Sequence, residues 1–194
     1  IREEEKIMTK VVFLVSRNKD NKHLPHFKER KETFFCNDME KAKARFMRFV
    51  EGGETGETCR LYVSVNARDE ERAKKALVCR LVMDEDVSLC KLEALAVSLA
   101  MKAENASERK WLFDFDCPSE EKVKEFMQEL TALDGTLSPV CYPTKNGFAV
   151  VVMHGFDTRS FLERWAKDLA EVNSAWGVEL KRDAMLLYDF KMKE

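Results

Sequence analysis

Lys110-Trp111-Leu112-Phe113-Asp114-Phe115-Asp116-Cys117-Pro118-Ser119-Glu120-Glu121 runs from an apolar, aromatic segment through two acids into a helix start. The composition of 111–115 is that of a strand, and on a strand alternate side chains share a face. Asp114 and Asp116 therefore point one way and Phe113 and Phe115 the other. Two neighbouring carboxylates repel unless a cation or solvent compensates them. Placing both acids under covering helices would cost several kcal/mol unless they were paired or protonated. The expected phase buries the two Phe rings and leaves the acids on the open face of a sheet. Each acid also has a purely structural explanation. Asp116 precedes Pro118, Ser119, Glu120 and Glu121, and can serve a helix N-terminus. Asp114 can be ion-paired by Lys145, Lys181 or Arg182.

Outward from this strand the second half has a regular order. A helix over 119–133 places Val123, Phe126, Met127 and Leu130 inward. Strands follow at 137–142 and 148–153, joined by the turn Pro143-Thr144-Lys145-Asn146-Gly147. Asp157 is expected to cap a helix over 159–172, with Phe161, Leu162, Trp165 and Leu169 inward. Val178–Lys181 and Met185–Phe190 close the chain as strands. The sequence β-α-β-β-α-β predicts an α+β fold, with a split βαβ (ferredoxin-like or RRM-like palm) unit over 107–194 ending in an extra hairpin. Residues 1–106 are expected to form an N-terminal α/β lobe packed on it.

In that first half, Lys10–Ser16 reads as a buried strand. The loop after it carries Arg17, Lys19, Lys22, His23 and His26, which either grip phosphates or form an ordinary solvated loop. Asp38 has the position of an N-cap for a helix with Met39, Ala42, Phe46, Phe49 and Val50 inward, stopped at Gly52-Gly53. Cys59–Asn66 alternates clearly: Leu61, Val63 and Val65 against Tyr62, Ser64 and Asn66. The polar face, flanked by Arg60 and Arg68, either lines a nucleotide or phosphate site or is a half-exposed strand surface. Helices are expected from Asp69 to about Asp84, with Ala73, Ala76, Leu77 and Leu81 inward, and after a cap at Ser88. The stripe Leu92, Leu95, Ala96, Leu99 and Ala103 reads as core.

The 194 residues, 45% hydrophobic and 35% charged, are enough for a core under a charged surface. A net charge of −2 gives no bulk attraction to nucleic acid or anionic membrane, so such binding needs a local basic patch. The six Cys form no C-x-x-C pair, which argues against zinc. With no membrane-spanning run or signal peptide in the sequence, a cytoplasmic location is expected.

Asp114-Phe115-Asp116, the turn Thr144-Lys145-Asn146-Gly147-Phe148-Ala149, and Asp183 ahead of a final apolar strand resemble the archaeo-eukaryotic primase superfamily, which includes primase-polymerases of phages and plasmids. The resemblance covers about residues 110–190. It implies a palm in which Asp114, Asp116 and Asp183 hold magnesium or manganese and carry catalysis. Phosphate contacts would come from Lys145, Asn146, Lys181 and Arg182, with Arg60 and Arg68 across a cleft. Where the family carries a His that meets the incoming nucleotide, this chain has Ala149, which argues against polymerisation. The expected partners are a nucleotide or nucleic acid. The alternative is a non-catalytic interaction protein, of the kind phages use, that binds a host protein or nucleic acid.

Overall fold

The alternation of Val12 and Leu14 against Phe13 and Val15 sets the first of two sheets. A computed structural model describes residues 8–84 and 86–194. In chain order its elements are β1 (Lys10–Ser16), β2 (Arg30–Cys36), α1 (Met39–Glu51), β3 (Thr58–Ser64), α2 (Glu70–Met83), α3 (Leu92–Ala100), β4 (Trp111–Asp116), α4 (Glu120–Leu133), β5 (Val140–Pro143), β6 (Phe148–Val152), α5 (Arg159–Val172), β7 (Gly177–Lys181) and β8 (Met185–Met192). The fold is mixed α+β, with two antiparallel four-stranded sheets.

The first sheet has the order β2-β1-β3-β8. Val12, Leu14, Phe34, Cys36, Cys59, Leu61 and Val63 leave one of its faces and meet Ala42, Phe46, Phe49 and Val50 of α1. As expected, the Asp38 side chain caps α1 by accepting from Glu40 N, and Gly52 ends the helix. Glu57 is buried ahead of β3, where Arg30 Nη2 holds its Oε1 at 2.6 Å. The second sheet has the order β5-β6-β4-β7. Here Phe113 and Phe115 lie in a core with Val123, Phe126 and Leu130 of α4 and Phe161, Trp165 and Leu169 of α5. The Phe126 ring meets Phe113 at 5.4 Å and Trp165 at 5.2 Å in edge-on contacts, the arrangement the ring quadrupole favours.

The described residues form two compact units: the chain up to Glu108 with Met185–Glu194, and Arg109–Ala184. This moves the boundary from the expected 106/107 and assigns the last ten residues to the first unit. The expected terminal hairpin is absent, because β7 pairs with β4 while β8 pairs with β3. Two adjacent apolar strands read as a hairpin from pattern alone, since alternation does not name the partner.

Other expectations also change. Arg30–Cys36 is a strand that the sequence did not announce. It lies at a sheet edge, and only Phe34 and Cys36 are buried. No residue of α2 is fully buried, including the four expected to face inward. Ser88 makes no side-chain cap; a short 3-10 turn over Leu89–Lys91 precedes α3. No helix among the described residues is long and apolar enough to cross a membrane.

Candidate functional site

The pairing of β4 with β7 places Leu112 opposite Lys181, Asp114 opposite Glu179 and Asp116 opposite Gly177. Directly paired residues share a sheet face, so Asp114, Asp116, Glu179 and Lys181 gather on the side away from α4 and α5. Lys181 Nζ donates to Asp114 Oδ2 and lies 3.8 Å from Glu179. Burial opposes the charge on Lys181, yet its bond to Asp114 and the fields of Asp114, Glu179 and Asp116 hold its pKa above the ordinary lysine value. For Asp116, burial and the Asp114 charge push the carboxyl above its ordinary value; Lys181 opposes the shift and Glu179 adds to it. Among these four side chains three carboxylates share one lysine.

The other expected ligands and contacts are distributed around that cluster. Asp183 is in the turn between β7 and β8, half-buried. Arg182 in the same turn stacks over the Trp111 ring at 5.2 Å. Lys145 and Asn146 are exposed in the β5–β6 turn, closed by Thr144 N donating to Gly147 O at 2.9 Å. Gly147 holds that turn against β4: a Cβ there would fall 2.1 Å from Phe115 O. Ala149 is the β6 partner of Asp114. Among the described residues, no group of three or more His, Cys, Asp or Glu side chains is arranged to hold a metal ion. Asp114 and Asp116 share β4, and Asp183 lies in the turn that follows β7. His154 is instead bonded to Thr136 Oγ1 at 2.8 Å.

Arg60 and Arg68 belong to the first unit. Arg68 is buried, its Nη1 reaches Ala100 O at 3.4 Å, and it lines a hollow of about 220 Å³ with Thr9, Phe35 and Glu70. Arg60 has a different setting. It lies on β3 beside Tyr62, on the face opposite Cys59, Leu61 and Val63 and so away from α1. The register pairs Tyr62 with Phe13 of β1. These are the two central strands of the sheet. Both rings line, with Val15, Arg17, Arg30, Lys31, the acid Glu29 and Met185, a groove of about 370 Å³. A second hollow of about 480 Å³ shares Phe13 and Lys31 and continues toward Ala94, Val97 and Met101.

Each ring in the groove has a cation at its face. Lys31 Nζ is 4.9 Å from the Phe13 centroid and Arg17 Cζ is 5.6 Å from that of Tyr62. Arg17 Nη2 donates to Tyr62 Oη at 2.9 Å and Arg60 Nη1 at 3.4 Å. Asp20 ties the two arginines together, accepting from Arg60 Nη2 and, at 3.3 Å, from Arg17 Nε. Burial disfavours the Asp20 carboxylate, but Arg60 and Arg17 outweigh it and hold its pKa below the usual value. Asn21 anchors the loop behind this network, bonding Ser16 Oγ at 3.0 Å and accepting from Thr58 N at 2.6 Å.

Comparison with known proteins returns no family model, curated protein or solved structure that matches the chain.

The sequence alone singles out Tyr62, Arg60 and Arg17 as candidates but not Phe13 or Lys31. The signal available for Phe13 was its place opposite Leu14 in the β1 alternation, but its pairing with Tyr62 depends on a contact across 49 residues of chain.

Proposed function

We propose that the protein binds nucleotides or single-stranded nucleic acid on the face of its first sheet that is turned away from α1. The observation that carries this reading is the direct pairing of Phe13 with Tyr62 on the two central strands, each ring with a basic side chain over its face that a stacking base displaces. Bases stack on aromatic rings whatever their identity, and each such contact is worth about 1–3 kcal/mol. Guanidinium and ammonium groups alongside supply the phosphate contacts. A local cluster of this kind is what a chain of net charge −2 needs in order to hold a polyanion.

The second unit fits best as a split βαβ scaffold. The reading is supported by the strand order β5-β6-β4-β7, in which α4 links β4 to β5 around β6, and α5 links β6 to β7 around β4. Kinship with primase palms rests on Asp114, Asp116 and Asp183. Lys181 already holds Asp114, which weighs against a magnesium or manganese centre built on Asp114 and Asp116. Ala149 in place of the family His weighs in the same direction. The acids of β4 are best understood as a structural charge cluster, with no phosphoryl-transfer step assigned to them.

The test is binding of fluorescently labelled uridine and thymidine oligonucleotides, followed by anisotropy at low and moderate salt. Tyr62→Ala and Phe13→Ala should each weaken binding about tenfold or more, from the stacking energy quoted above, and Tyr62→Phe should retain most of it. Affinity should fall steeply with salt. Asp114→Asn combined with Asp116→Asn should leave it unchanged. Absence of binding by the wild-type chain, or equal binding by Tyr62→Ala, would discard the proposal.

A further inference from the structure

The aromatic face continues beyond Tyr62 onto the edge strand. β8 pairs with β3 so that Leu187 lies opposite Tyr62 and Phe190 opposite Arg60, with a register shift between Leu61 and Tyr62. Paired residues share a face, so Phe190 is on the same side as Arg60, Tyr62 and Phe13. Its ring is 60% exposed, a high value for a phenylalanine in a strand. Among the described residues, no further strand follows β8 in this sheet. Phe13, Tyr62 and Phe190 thus form a line across three successive strands, with Arg60 between the last two rings.

From this line, and resting on the nucleic-acid reading above, we infer that the ligand is a single-stranded oligonucleotide spanning at least three nucleotides, with Phe190 as its third stacking platform. Diagonal positions in a regular ladder lie about 7–8 Å apart, roughly twice the ~3.4 Å step of stacked bases in a helix, and the register shift adds one β8 residue between Phe190 and the partner of Tyr62. Bases resting on Tyr62 and Phe190 must therefore be splayed from one another, which a single strand permits and a duplex does not. Arg60, the register partner of Phe190, lies between the two rings with its side chain largely buried and held by Asp20. A free mononucleotide, by contrast, satisfies only the Phe13–Tyr62 part of the face.

Labelled uridine and thymidine series from one to six nucleotides, titrated with the whole chain, test this. Affinity should climb up to three nucleotides and then level. Phe190→Ala should weaken the trinucleotide and longer members about tenfold, the loss of one stacked base, and leave mono- and dinucleotide binding within twofold. Phe190→Trp should keep trinucleotide affinity. Because Phe190 is largely exposed, the melting temperature of Phe190→Ala should stay close to that of the parent, which separates lost stacking from lost fold. Binding of either series supports the inference, and the tighter one identifies the sugar. If Phe190→Ala leaves the trinucleotide unaffected while Tyr62→Ala weakens it, the platform ends at Tyr62, and this inference fails while the functional reading stands. If a duplex of the same sequence competes as well as the single strand, the splayed path is wrong. If no member of either series binds, or if neither Tyr62→Ala nor Phe13→Ala has any effect, both fall.

Discussion

Asp116 shows how one residue's protonation reports on the acid cluster of β4. Burial and the neighbouring Asp114 charge raise its folded pKa, Lys181 opposes this, and Glu179 adds to it. A raised carboxyl contributes stability that is fully present below its unfolded value, about 3.9, and lost as pH rises through the folded value. At pH 7 ionised Asp116 therefore works against the fold. Asp116→Asn should raise the urea midpoint at neutral pH, and the gain should vanish below about pH 4, where the wild-type group is protonated in both states. Had Asp116 been the cap of α4, the substitution would be destabilising at pH 7, but Ser119 fills that place by accepting from Lys122 N. Loss of stability on Asp116→Asn at neutral pH would show that the carboxylate has a favourable partner in the folded state that outweighs burial and the Asp114 charge.

Elements whose side chains divide cleanly between core and surface were legible in the sequence. The period of two placed Phe113 and Phe115 beneath α4 and α5, and the spacing of Ala42, Phe46, Phe49 and Val50 gave the buried face of α1. Asp38 and Ser119 marked helix starts by their chemistry. Elements that depend on a distant partner were not legible. β2 sends only Phe34 and Cys36 into the core and carries Arg30, Lys31 and Glu32 at a sheet edge, so it has too few apolar positions to show alternation. The candidate groove failed for the same reason: Tyr62 was visible on β3, but its neighbours Phe13 and Phe190 come from strands far away in sequence. One local signal did carry tertiary information. Gly147 ends the β5–β6 turn, where a Cβ would meet Phe115 O at 2.1 Å and Cys117 N at 2.7 Å. These are backbone atoms that cannot rotate aside. Gly147→Ala should cost about 1–3 kcal/mol, the usual range for overpacking, measured by denaturant melts. A neutral result would mean that the turn does not rest on β4.

The course of the chain through the whole molecule makes the two units unequal as folding units. The second is continuous, and its core from Phe113 to Leu169 lies entirely within Arg109–Ala184. The first is interrupted: the chain leaves it after Glu108 and returns at Met185 with the strand that closes its sheet. Seven β3 residues, Thr58 to Ser64, have their register partners on β8. Lys193 adds to this tie. Its N donates to Glu57 O at 2.9 Å, its O accepts from Gly56 N at 2.8 Å, and its Nζ reaches Glu51 O and Gly53 O at 2.7 Å each. Without the last ten residues β3 would become an edge, and the turn between α1 and β3 would lose its clamp. A domain with its own core can fold alone, so residues 109–184 expressed by themselves should give a cooperative thermal transition by circular dichroism. Residues 1–108 should not, until residues 185–194 are joined to them by a short flexible linker. That linked form should also recover Tyr62-dependent oligonucleotide binding, because Phe13, Tyr62 and Phe190 are all present in it. A fragment 1–108 that melts as cooperatively as its linked counterpart would show that β8 is an accessory to the first sheet and not part of what holds it together.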